Sequence, residues 1–142
     1  EAMEHIDARL LIIGTGPEES ALKSMVSCKN ISEKIIFSGD VSDQDLPAYY
    51  AASDIFVLPS SHRSEAFGTV LIEAMASGKP VISTELGTGT SFININGETG
   101  FVVSPRSPES LSLAIRNLLK DKELRLEMGR CAKGIISNPW SC

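Results

Sequence analysis

Glu65-Ala-Phe-Gly-Thr-Val-Leu-Ile-Glu-Ala-Met-Ala-Ser-Gly-Lys-Pro-Val-Ile-Ser-Thr84 is the stretch on which the fold turns. Val70, Leu71, Ala74 and Met75 recur at intervals of three and four, which predicts a helix over Phe67–Ser77. Gly78 follows it directly, where a helix ends best on a residue with positive φ. Pro80–Thr84 then reads as a short apolar strand.

The same alternation continues on both sides. Upstream, Arg9–Gly14 is a fully apolar strand, and Pro17–Cys28 is a helix with proline and acids in its first turn and Leu22, Met25 and Val26 on one face. Lys34–Ser38 is a second strand, stopped by Gly39. A helix capped by Asp43 runs to about Ser53 with Leu46, Tyr49 and Tyr50 on one face, and Asp54–Leu58 is the third strand. Downstream, Thr99–Val103 is a fifth strand. Ser107-Pro108-Glu109 opens another helix in the favoured order of cap, proline and acid, and a last helix covers about Lys122–Lys133. The strands are continuous apolar runs, which predicts burial on both faces. The expected class is therefore α/β, a doubly wound, mainly parallel Rossmann-like sheet with helices on both faces.

Length and composition narrow the function. The chain has 142 residues, 42% of them apolar and 22% charged, and reads as a single domain over 1–142 without repeats, low-complexity tracts or linkers. Its 13 basic and 18 acidic residues leave a net charge of −5, the wrong sign for a nucleic-acid backbone binder. Apolar runs of four or five residues fall far short of the ~18–20 needed for a transmembrane segment. Cys28, Cys131 and Cys142 are widely spaced, and His5 and His62 are the only histidines, so neither a disulfide framework nor a metal site is expected. Cys28 and Cys131 are read as small core residues, and the alternating charges of Lys120–Arg130 as an exposed, ion-paired helix face. Glu1–Asp7 lacks the features of a signal peptide and reads as the tail of a helix.

In an open α/β sheet, ligands bind at the carboxyl ends of the strands. Four loops are expected there: Gly14–Pro17, Gly39–Ser42, Pro59–Gly68 and the long Gly-, Thr- and Asn-rich Glu85–Glu98. In the third, Glu65 precedes a helix and Glu73 lies two turns inside it, ~12 Å apart along the axis. That is too far for an acid/base pair at one bond, which needs ~5–9.5 Å, and suits the two ends of an elongated ligand. The free amides of Phe67, Gly68 and Thr69 lie between them and would attract a phosphate, with Gly68 permitting close approach. The bland alternative makes Glu65 a dipole-favouring first-turn acid and Glu73 a solvated residue. Ile72 and Ala74 beside Glu73 argue against that for the second carboxylate.

Glu65 through Ile82 resembles the E-x7-E region of the large retaining glycosyltransferase family called group 1. Leu-Ile-Ile-Gly-Thr-Gly-Pro17, Ile36-Phe-Ser-Gly-Asp-Val-Ser42, Tyr50-Ala-Ala-Ser-Asp-Ile-Phe-Val-Leu-Pro-Ser60 and Gly97-Glu-Thr-Gly-Phe-Val-Val103 are similar to its other blocks, in family order, over about residues 8–130. The resemblance implies one lobe of a GT-B fold: the C-terminal, nucleotide-sugar-binding lobe, entered after its first βα unit and separated from its N-terminal acceptor lobe. It implies that Glu65 contacts the donor sugar, that amides of Phe67, Gly68, Thr69 and Val70 hold sugar and diphosphate, and that Gly14 and Gly16 lie near the phosphates. Glu73 would take the ribose, and Gly39 and Val41 would border the base. The implied donor is a UDP-, GDP- or similar sugar, with no metal or other cofactor. The acceptor would be a glycan or lipid-linked glycan of bacterial surface polysaccharide, and the enzyme would be cytoplasmic, at the inner face of the membrane in its full-length form. The isolated fragment is expected to be inactive.

Two places depart from the family. Leu86-Gly-Thr-Gly-Thr-Ser-Phe-Ile-Asn94 lacks the acid of the usual Gly-Gly-x-x-Glu segment, and the basic pair expected before the Arg9 strand is absent, with Lys79 and Arg63 poorly placed to replace it. Rival readings are a non-catalytic nucleotide-binding module and a GT-B nucleotide-sugar epimerase. Gly14-x-Gly16-x-x-Glu19 lacks the third glycine of a dinucleotide fingerprint and reads as a tight turn. Tyr49-Tyr50 is read as core rather than as a base-stacking platform, and His62-Arg63 as a solvated loop pair.

Overall fold

The computed structural model describes residues 1–60, 68–87 and 90–138. The chain divides into two compact units, Glu1–Leu46 and Pro47–Cys142.

In the first unit, β1 (Leu10–Ile13) and β2 (Ile35–Gly39) pair in parallel, Leu10 opposite Ile35, with a register shift between Ile12 and Ile13. The α1 helix (Glu19–Cys28) joins them, as a parallel pair requires a crossover. Met3, Ile6, Ile31 and Ile35 are the buried apolar side chains here. Met3 and Ile6 belong to a turn closed by Glu4 N–H on Glu1 O and Ile6 N–H on Met3 O, so the expected helix tail is a turn. Lys29 Nζ reaches Glu4 Oε1 at 2.6 Å, and this bond holds the Glu4 carboxyl below its ordinary pKa and the Lys29 ammonium above.

Burial on both faces fails in this unit. Leu11 and Ile13 on β1 and Ile36 on β2 are exposed, while Leu10 and Ile12 are half-buried. Side chains alternate along a strand, so one face of the pair is covered and the other open. Leu22 and Met25 of α1 are exposed too, and that helix buries nothing, which takes Cys28 out of the core.

The second unit carries the larger core. β3 (Phe56–Leu58), α3 (Thr69–Ala76), β4 (Val81–Thr84), α4 (Thr90–Ile93) and β5 (Gly100–Val103) alternate, and the strands pair in parallel in the order β3-β4-β5. All four residues of β4 are buried, so this central strand is covered on both faces as its apolar run predicts. The parallel α/β class is the one expected from sequence; the described pairings form two parallel sheets, and no described strand pairs with members of both. No helix among the described residues is long and apolar enough to cross a membrane.

The helix starts follow the cap chemistry. Ser107 accepts from Ser110 N–H ahead of α5 (Pro108–Lys120), and Asp121 accepts from Leu124 N–H ahead of α6 (Lys122–Ser137). Before α2 (Leu46–Ala52), Asp43 does not cap. Ser42 takes that place, its hydroxyl accepting from Asp45 N–H and its carbonyl from the amides of Asp45 and Leu46.

α6 buries Met128, Gly129 and Ala132, and Cys131 falls outside that stripe and is exposed. The expected ion-paired face is different in kind. Arg125 donates to the Leu118 and Leu119 carbonyls near the end of α5 and lies 3.8 Å from Asp54.

Candidate functional site

α3 holds the residues on which the sequence reading rests. Leu71, Ala74 and Met75 are fully buried, at ~1.5–3 kcal/mol for each large side chain, and this fixes the helix against β3 and β4. Val70, expected on the same face, is instead exposed at the start of the helix. Gly78 has the expected positive φ, 73°, just past the helix end.

The helix opens at Gly68 with no side-chain cap. The Gly68 carbonyl accepts from Leu71 and Ile72, so the first helical bonds begin at those amides. Thr69 and Val70 precede them, and among the described residues their N–H groups have no partner. An uncapped helix start of this kind offers donors and a favourable dipole to an anion. Glu65 and Phe67, the remaining members of this expected cluster, lie outside the described residues, as do His62 and Arg63.

Glu73 follows Thr69 by one turn and is half-buried, not a solvated residue. The Tyr50 hydroxyl donates to its Oε2 at 2.9 Å and lies 3.4 Å from the Val70 carbonyl. The Tyr50 ring is buried and packs tilted against Phe56, centroids 5.7 Å apart. Burial, and then the Glu73 carboxylate, push the Tyr50 phenol far above its ordinary pKa, so it stays a donor at every physiological pH. Among the described residues no lysine or arginine forms a salt bridge with Glu73. Lys79 is occupied past the opposite end of α3, donating to the Ala51 carbonyl.

Tyr50 is thus core, as its spacing suggests, but its partner was missed. The available signal was chemical: a buried phenol needs an acceptor.

The first unit brings together two other expected turns. Gly14 N–H donates to the Gly39 carbonyl at 2.8 Å, and Thr15 Oγ1 donates to the Asp40 carboxylate at 3.1 Å. Gly14 and Gly39 both have positive φ, 111° and 70°. Gly16 and Val41 follow in the same turns, Gly16 accepting from Glu19 N–H.

The segment after β4 ends in a buried polar knot that sequence reasoning did not find. Asn94 Nδ2 donates to the carbonyls of Val81 and Phe101 and to Ser83 Oγ, while its Oδ1 accepts from Thr99 Oγ1. Where the family pattern has its acid-bearing segment, this chain ties the loop's far end to β4 and β5 through an amide. Thr88 and Gly89 of that loop lie outside the described residues. Among the described residues no group of three or more His, Cys, Asp or Glu side chains could hold a metal ion.

The sequence pattern of the family described as "Glycosyl transferases group 1" matches residues 1–134. The chain belongs to the group 1 glycosyl transferases. Among its group 1 relatives, the D-rhamnosyltransferase WbpZ of Pseudomonas aeruginosa is 41% identical over 133 residues, which are 94% of this chain and 35% of that protein. A GDP-mannose-dependent alpha-(1-6)-phosphatidylinositol monomannoside mannosyltransferase of Mycobacterium tuberculosis is 31% identical over 138 residues, 94% of this chain and 36% of that protein. The chain spans about a third of the length of these curated relatives. Among solved structures, the C-terminal domain of a group 1 family glycosyl transferase from Francisella tularensis superposes with a TM-score of 0.85 at 27% identity. The match covers 98% of this chain and 75% of that one.

Proposed function

We propose that this chain is the C-terminal, nucleotide-sugar-binding lobe of a retaining glycosyltransferase that moves a hexose from a nucleoside diphosphate sugar to a glycan or lipid-linked glycan. The observation that carries this reading is on α3: an anchored, half-buried carboxylate one turn inside a helix whose first amides have no partner among the described residues. A diphosphate seats on the amides of Gly68, Thr69 and Val70, joined by Phe67. Glu73 accepts from the ribose hydroxyls, Glu65 from the hydroxyls of the donor sugar.

The N-terminal lobe carries the acceptor, and the basic pair for the departing diphosphate belongs to the βα unit that precedes the Arg9 strand in this lobe. Catalysis then rests on electrostatic stabilisation of that leaving group and on positioning across the cleft between lobes. The donor is held without a metal. The biological setting is assembly of bacterial surface polysaccharide at the inner face of the cytoplasmic membrane. Supporting the donor class is the GDP-mannose dependence stated for the mycobacterial relative; supporting the lobe assignment is the likeness to an isolated C-terminal domain.

Calorimetric titration of UDP, GDP and ADP, alone and as their sugars, tests the reading on this chain. Binding of at least one is expected, with no turnover. Glu73→Ala weakens nucleotide binding, whereas Glu65→Ala acts only when a sugar is attached. Absence of heat with all of them, or equal effects of both substitutions on bare nucleotide, refutes it.

A further inference from the structure

We infer that Tyr50 is a positioning residue for nucleotide recognition, fixing the Glu73 carboxylate so that its second oxygen meets the ribose hydroxyls. The inference rests on the ribose role proposed for Glu73. It adds a residue 23 positions away, on a different helix, that touches no ligand itself.

A glutamate side chain has three rotatable bonds, and a ribose diol rewards only the orientations in which a carboxylate oxygen faces it. On α3 the orientation is set from outside the helix. The Tyr50 phenol has one proton and two acceptors in reach, and the shorter contact is to the charged Glu73 Oε2, the stronger acceptor. Tyr50 is itself held firmly: its ring is buried, it packs on Phe56 of β3, and its carbonyl accepts from Ser53 Oγ. Lys79, just beyond α3, ties to the carbonyl of Ala51, the residue after Tyr50 on α2. The chain on either side of the Tyr50–Glu73 bond is thus tied a second time, and the buried ring keeps the hydroxyl at the carboxylate.

The donor chosen is informative. An ammonium or guanidinium in this place would neutralise Glu73 and compete for it. A phenol fixes one oxygen, leaves the charge intact, and leaves about three of the four acceptor sites of the carboxylate open. A diol supplies two O–H donors to fill them.

The test is titration of UDP, GDP and ADP, each compared with its 2′,3′-dideoxy form, on wild type, Tyr50→Phe, Glu73→Ala and the double variant. Wild type prefers the ribose form. Tyr50→Phe removes one oxygen, keeps the ring on Phe56, and weakens binding of the preferred ribonucleotide about ten-fold, within the range of coupled neighbours. It leaves the dideoxy form unaffected, so the preference collapses, and in the Glu73→Ala background it has no further effect. A merely structural tyrosine would weaken both forms alike and add to Glu73→Ala. Either of those results, or a preserved ribose preference in a folded Tyr50→Phe, overturns the role of Tyr50 alone. A wild type that binds no nucleotide, or binds both forms equally, overturns the ribose role of Glu73 and this inference with it.

Discussion

Gly129 and Gly134 lie five residues apart in α6, and alanine at the two positions should move stability in opposite directions. At Gly129 a β-carbon would intrude on the Gly78 carbonyl, come 3.1 Å from its carbon and 3.4 Å from Pro80 Cδ. The obstacle is backbone, immediately past the end of α3, and it cannot rotate aside. Overpacking of this sort costs about 1–3 kcal/mol, here toward the upper end, and the better helix propensity of alanine returns about 1 kcal/mol. The net is a loss of about 1–2 kcal/mol. At Gly134 a β-carbon meets nothing within 4 Å, so only propensity acts, for a gain of about 0.5–1 kcal/mol. With about 2.1 cal/mol/K of unfolding entropy per residue, a 142-residue chain shifts by roughly 3 °C for each kcal/mol. Gly129→Ala should therefore lower Tm by about 3–6 °C and Gly134→Ala raise it by about 2–3 °C. Thermal melts followed by far-UV circular dichroism, with urea midpoints at unchanged m, read both. A Gly129→Ala protein melting at or above wild type would refute the close approach of α6 to the end of α3.

Two further outcomes concern buried polar groups. Asn94→Ala removes the amide shared by Val81, Ser83, Phe101 and Thr99, and should cost about 2–4 kcal/mol in urea denaturation, since buried groups then lack partners. Asn94→Asp should be no better, because an ionised carboxylate gives no donor to the two carbonyls; a loss below about 1 kcal/mol for either would count against the knot. For Tyr50 the sign follows from its raised pKa. The folded state keeps the phenolic proton after the unfolded chain has lost it near pH 10, so stability is complete below pH 10 and falls as pH rises beyond it. The contribution is at most about 1.4 kcal/mol per pH unit, and Tyr50→Phe should flatten that part of the profile. Identical slopes for the two proteins between pH 10 and 11 would contradict it.

Periodicity made the elements of the second unit legible. Leu71, Ala74 and Met75 are buried because they share a stripe, β4 is buried on both faces because every residue in it can be, and Ser107-Pro108-Glu109 starts a helix by local chemistry alone. The same reasoning overreached in the first unit. Leu11, Ile13, Ile36, Leu22 and Met25 have the pattern of core residues and are exposed. A pattern states which face can be buried; burial also needs a neighbour to cover it. The Tyr50–Glu73 and Asn94–Thr99 bonds were illegible for a different reason. Each joins side chains whose own segments read correctly without the other, so local periodicity carries no trace of the pairing.

That independence bears on why Glu73 is a glutamate at all. A half-buried carboxylate between Ile72 and Ala74 costs the fold desolvation that an apolar residue or a glutamine would reduce. If its purpose were to satisfy Tyr50, a glutamine carbonyl would accept the same bond without a charge. If its purpose were an ion pair, a cation would stand beside it, and among the described residues none does. What a charged carboxylate provides beyond glutamine is acceptor capacity on both oxygens and stronger bonds to hydroxyl donors. The fold uses one of those oxygens through Tyr50. Under the proposed function, a ligand that carries both hydroxyls and an anion offsets the cost of keeping the other charged, one turn from amides that have no partner among the described residues.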